Sequence, residues 1–189
     1  MSRLEQFISY LTGDFNNHIQ IENEIKQGSQ IHPSATHVNN VFNHRIENIP
    51  QGFQGIFILE ESYYVKVDGT EIAAPHLFLF ILNEEEKVQL VSYQFPKETD
   101  KSQIKNSNSS LKFEFNKLEL STNFGTMIYN YSEVNGFYGY SRNILPNGIV
   151  FTLTETIGKD CLEVMELMEK NGKVLTPYNT PIIYNRINW

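Results

Sequence analysis

The amino-acid sequence predicts a mainly all-β protein: a single antiparallel domain over residues 1–189, closed into a barrel, with a short N-terminal amphipathic helix. Three observations predict it. Apolar and polar residues alternate with a period of two through most of the chain after Pro33. Turn signals recur between those runs, at Asp68-Gly69, Asn135-Gly136, Pro146-Asn147-Gly148 and Asn171-Gly172. The aromatic share is 13%, with 13 Phe and 10 Tyr, and flat rings pack well on a pleated surface. Eight to ten short strands with frequent turns suggest a sandwich or a barrel.

The helix comes first. Ser2 can cap it, and Glu5 three residues later completes a capping box. Leu4, Phe7, Ile8 and Leu11 fall on one face, and Gly13 is placed to stop it. From Thr36 to Ile46 one face reads Thr36, Val38, Asn40, Phe42, His44, Ile46. The other reads His37, Asn39, Val41, Asn43, Arg45. The second is the wetter, so the first is expected to point inward, bringing Asn40 and His44 with it.

Gly55 to Val67 is the clearest strand. Ile56, Ile58, Glu60, Ser62 and Tyr64 share one face, and Phe57, Leu59, Glu61, Tyr63 and Val65 share the other. After Asp68-Gly69, Pro75 leads into the nearly continuous apolar run His76–Leu82, and Val88–Phe95 returns beside it. Residues 97–110 are polar and read as a mobile surface loop. Residues 111–120 fit a strand or a short helix. Met127–Tyr131, Phe137–Ser141 and Ile149–Thr156 read as strands. Cys161–Glu169 fits either period. The Asn171-Gly172 turn after it favours a strand, in which Leu162, Val164, Glu166 and Met168 alternate. Pro181–Ile187 closes the chain.

Composition narrows the function classes. A net charge of -7 repels phosphate backbones and anionic lipid, so neither nucleic acid nor a membrane is the expected partner. Cys161 is the one cysteine, so no intrachain disulfide and no cysteine zinc site can form. Asp160 beside it disfavours a thiolate, and the residue reads as a packing group. His37 and His44 lie seven apart on one expected strand and so face opposite sides. No His-Glu-x-x-His pattern occurs, and no metal site is expected. Without a secretory leader or membrane-length apolar run, a cytoplasmic location is expected.

Glu60 carries the strongest chemical signal if its face points inward; the alternative is the reverse facing, with Glu60 exposed and Glu61 inside. A carboxylate that follows Ile56 and Ile58 on an inward face costs several kcal/mol unless it is paired or protonated. Asn40 and His44 on the neighbouring strand are its expected partners. A Glu60–His44 pair could perform acid–base work or anchor a polar ligand. Tyr63, Tyr64, Tyr93, Tyr138, Tyr140 and Tyr184 offer flat surfaces with polar tips that suit an aromatic or conjugated ligand.

Four segments, in order, resemble the CpeT/CpcT family. Gly13-Asp14-Phe15-Asn16-Asn17-His18-Ile19-Gln20 resembles its opening motif. Phe57-Ile58-Leu59-Glu60-Glu61-Ser62-Tyr63 resembles its Phe-x-x-Glu-Gln-Ala-Tyr strand. Pro75-His76 stands where the family has Pro-Tyr, and Pro181-Ile182-Ile183-Tyr184-Asn185-Arg186 resembles its terminal Pro-Phe-x-Phe-x-Arg. The resemblance implies a calycin-like antiparallel barrel. It also implies kinship with lyases that attach bilins to phycobiliprotein cysteines and with their chaperone relatives. Glu60 would be the family's strand glutamate, and Asn40 and His44 would replace basic pocket residues. The family's mid-chain Gly-Cys, its Asp-Arg-Gly and its terminal Trp-Gly are replaced here.

The expected function is binding of a small, partly apolar molecule, with a bilin among the candidates. Asn40, His44, Glu60, Tyr64, His76 and Tyr93 are the expected ligand contacts. Two alternatives stay open. One is a lyase-type enzyme with Glu60 and His44 catalytic. The other is a scaffold for a protein partner or a homodimer.

Overall fold

The computed structural model describes residues 1–122 and 124–187. Among the described residues, ten strands build the barrel, in chain order: β1 (Gly13–Asn16), β2 (Ser34–Val41), β3 (Ile56–Val65), β4 (Glu71–Leu82), β5 (Val88–Gln94), β6 (Met127–Ser132), β7 (Gly136–Ile144), β8 (Val150–Ile157), β9 (Cys161–Lys170) and β10 (Ile182–Arg186). Each pairs antiparallel with the next, and β10 pairs back to β1. The result is a closed up-and-down barrel with no open edge between the ten strands, consistent with a calycin-like fold. Two helices accompany it, α1 (Arg3–Leu11) and α2 (His18–Lys26). Neither is long enough to cross a membrane.

Helix α1 carries the expected capping box: Ser2 Oγ accepts from the Glu5 amide at 3.1 Å, and Glu5 Oε2 accepts from the Ser2 amide at 2.6 Å. Its apolar stripe does more than lie against the barrel; it plugs one end. Leu4, Phe7, Ile8 and Leu11 are buried in a cluster with Phe15, Phe80, Tyr129, Phe137 and Tyr184 from the inner face. The Phe7 ring meets Tyr129 at 4.7 Å, Phe80 at 4.8 Å and Phe137 at 5.0 Å. Arg186 secures the helix end. Its guanidinium donates to the carbonyls of Thr12, at 2.5 Å, and Tyr10, at 2.7 Å, and lies 4.5 Å from the Phe15 ring. Gly13, at φ 127°, passes so close that a Cβ there would sit 2.5 Å from Arg186 Nη1.

Asn17 and Gln20 tie the elements around them together. Asn17 is fully buried; its side chain donates to the Pro33 carbonyl at 2.9 Å and accepts from the Ala35 amide at 2.8 Å. Gln20 donates to the Pro181 carbonyl and accepts from the Ile183 amide, both at 3.0 Å. Together they tie α2 to β2 and β10.

A second apolar core lies outside the barrel wall. Phe57, Leu59, Leu77 and Leu79 point outward from β3 and β4 and are covered by Phe42, Ile46, Ile104, Leu111 and Phe113. Residues 97–110, expected to be a mobile loop, are instead tethered over this core. Asn106 donates its amide to Glu61 at 2.7 Å and its side chain to the Val38 and Leu59 carbonyls. Arg45 donates to the Asn106 and Asn108 carbonyls at 3.0 and 2.9 Å.

That outer core explains the error in the expected facing of β2. Its inward residues are Ala35, His37 and Asn39, opposite Tyr64, Ser62 and Glu60 of β3. The wetter face points in because the interior here is polar, while Val38 is half-buried under Asn106 outside. Asn40 is therefore outward and exposed. The strand ends at Val41, and a short 3-10 turn over Asn43–Arg45 leaves His44 exposed beside the Arg45 guanidinium. Tyr93 likewise faces outward, its ring 5.7 Å from Phe57.

A candidate ligand cavity at the open end

The end opposite α1 stays open. A cavity of about 870 Å³ descends from it, with Ile31, Lys66, Val67 and Asp68 at the mouth. Ligand pockets run from about 300 to 1,000 Å³, so this one is of useful size. Its walls are largely apolar: Ile72 and Ala74 of β4, Phe151 of β8, Met168 of β9, with Phe124, Leu145 and Tyr178 from the connections. Tyr64, His76 and Glu166 supply the polar atoms of the wall.

Strand register places the remaining polar groups on the same inner surface. Glu60 sits between Asn39 on β2 and His76 on β4. Glu155 on β8 lies opposite Val164, and Glu166 on β9 lies opposite Leu153, one diagonal step away. Glu60 accepts from the Ser62 hydroxyl at 3.1 Å, and Tyr129 donates its hydroxyl to Glu155. His37 packs its ring 4.2 Å from Tyr184 and edge-on to Tyr64 at 6.3 Å. His76 stacks on Phe78 at 5.4 Å and meets Phe124 edge-on at 5.1 Å.

Burial and like charge set the protonation of this interior. Burial, then the Glu155 carboxylate, pushes Glu60 up to about 8, against the pull of the Ser62 hydroxyl. Burial pushes Glu155 up to about 7, with Glu166 adding to the rise and the Tyr129 hydroxyl opposing it. Glu166 rises for the same first reason. Burial holds His76 down at about 4, and burial with the neighbouring His76 holds His37 at about 3. The interior thus presents neutral imidazoles and carboxyls poised to keep or release a proton near neutral pH. A carboxyl in that state can donate a hydrogen bond as well as accept one.

Of the residues expected to form the site, Glu60, Tyr64 and His76 share the barrel interior. Asn40, His44 and Tyr93 do not join them, and the expected Glu60–His44 pair is not formed. Tyr184 is inside, Tyr63 bonds Glu61 on the outer face, and Tyr138 and Tyr140 are exposed. Cys161 is half-buried on the wall, its thiol pushed up by burial and then by Glu163. Four interior residues were not singled out from sequence as site residues: His37, Asn39, Glu155 and Glu166. Both glutamates carry the signal that revealed Glu60. Glu155 alternates with Phe151, Leu153 and Ile157, and Glu166 with Leu162, Val164 and Met168.

Fold and cavity together define a calycin-like barrel with one plugged end and one open, amphipathic calyx. No family model, curated protein or solved structure matches the chain.

Proposed function

We propose that this protein binds one small, partly apolar molecule in the open end of its barrel. One observation carries the reading: the inner wall keeps polar groups against an apolar cavity instead of filling it with side chains. An interior that serves only as scaffold is more stable dry and filled, because each buried polar atom left without a partner costs about 1–3 kcal/mol. Tyr64, His76 and Glu166 meet the ligand's polar atoms, and Glu60 lies deeper beside His76. Ile72, Phe124, Phe151 and Tyr178 hold its apolar body.

The CpeT/CpcT resemblance keeps a bilin among the candidates, but its two propionates would find no paired interior Lys or Arg among the described residues. Its long conjugated body suits the aromatic wall, and its pyrrole N–H groups suit carboxylate acceptors. Binding, not lyase chemistry, is the reading favoured here, because the acid–base pair that chemistry was expected to use is split between the inside and the outside.

A blocked cavity tests the proposal. Ala74 points inward from β4 and lines the cavity, so Ala74→Trp fills it. Tyr138→Trp, on the exposed outer wall, serves as control. Titration with the fluorescent probe 1-aminoanthracene is expected to give one site per chain in wild type and in Tyr138→Trp. Ala74→Trp is expected to lose at least tenfold in affinity. Equal binding by both variants, or none by wild type, would overturn the proposal.

A further inference from the structure

Taking the barrel as ligand-binding, we infer that its ligand carries a cationic nitrogen, a protonated amine or amidine, on an apolar body. Three carboxyls from three strands, Glu60, Glu155 and Glu166, share one inner surface. Among the described residues, none of them forms a salt bridge with a Lys or Arg. Arg186 is spent on the carbonyls at the end of α1, and Lys66 is exposed at the mouth.

A second, independent observation points to an absent polar partner. His37 is 4% exposed, and its Nε2 has no hydrogen-bond partner. Ser141 is 6% exposed, and its Oγ has none either. Ser141 lies in the same cross-strand row as Glu166, separated by Leu153. Asn39, fully buried beside Glu60, leaves its Oδ1 unpaired. Three of these atoms, the two side-chain oxygens and the neutral imidazole nitrogen, can accept a hydrogen bond. Glu166 on the cavity wall, with further carboxyls and unpaired acceptors deeper on the same inner surface, fits an N–H-rich positive group. A cation beside these carboxyls favours their ionised form, whereas an anionic head group opposes it and a hydroxyl supplies no counter-charge.

The test uses one apolar body with three heads. Isothermal titration of the full chain at pH 7.5 compares decylamine, 1-decanol and decanoate. Decylamine is expected to bind at least tenfold more tightly than 1-decanol, and decanoate most weakly. Glu166→Gln is expected to weaken decylamine at least fivefold while leaving 1-decanol within twofold. If 1-decanol or decanoate matches decylamine, the cationic ligand is overturned while the binding barrel stands. The same holds if no decyl compound binds but 1-aminoanthracene does. If neither the decyl series nor 1-aminoanthracene binds, both readings fall.

Discussion

Glu60→Gln is expected to be more stable than the wild-type protein at pH 8, by about 3 kcal/mol, and indistinguishable from it near pH 4. The folded chain holds the Glu60 proton up to about pH 8, whereas an unfolded chain releases it near the ordinary 4.5. Between those values the folded state binds more protons, so stability falls as pH rises. Glu155, raised to about 7, acts in the same direction. The histidines act oppositely. His37 and His76 stay neutral in the folded chain down to about 3 and 4, while an unfolded chain protonates them near 6.5. Their contribution makes stability rise with pH up to about 6.5 and then levels off. From pH 6.5 to 8 the carboxyls act alone, and the ligand-free protein is expected to lose stability across that range. Glu60 is only half-buried by surface area, so the figure is set below the full value of the shift. Urea titrations at pH 4, 6.5 and 8 check the result. A Gln variant less stable than wild type at pH 8 would show that the Glu60 carboxylate has a compensating partner.

Phe7→Ala is expected to cost about 4 kcal/mol, the largest loss from a single truncation at the plugged end. Phe7 is fully buried, and its ring contacts β4, β6 and β7 through Phe80, Tyr129 and Phe137. Truncation removes one ring from the middle of four, and the surrounding strands are hydrogen-bonded on both sides and cannot close the gap. Urea denaturation read by circular dichroism gives the value. A loss under about 1 kcal/mol would mean that α1 is an appendage and not a plug.

The sequence revealed most of the strands because the barrel wall alternates. Glu60 was legible since it interrupts Ile56 and Ile58 on one face, and Tyr64 and His76 followed with it. The facing of β2 was not legible. Alternation reports which residues share a side, and the choice of side then rested on the wetter face pointing to water. That rule fails when a chain folds a second core over the outside of its wall, as Ile104, Leu111 and Phe113 do here. The same covering turned Tyr93 away from the cavity. Strand β1 has four residues, too few for a period to register, and of the helix α2 residues only Ile21 is buried. Residues 111–120, ambiguous in sequence, form two-residue strands at Phe113–Glu114 and Glu119–Leu120 on either side of a 3-10 turn at Phe115–Lys117.

The central claim is that the open end of the barrel is a binding site. Backbone amide shifts, followed by heteronuclear NMR during titration with 1-aminoanthracene, test it most directly. The account predicts saturable shifts concentrated at Tyr64, Ala74, His76, Phe151 and Glu166, with the Ile128 and Tyr138 face unmoved. Shifts confined to that outer face, or none at saturating probe, would contradict it.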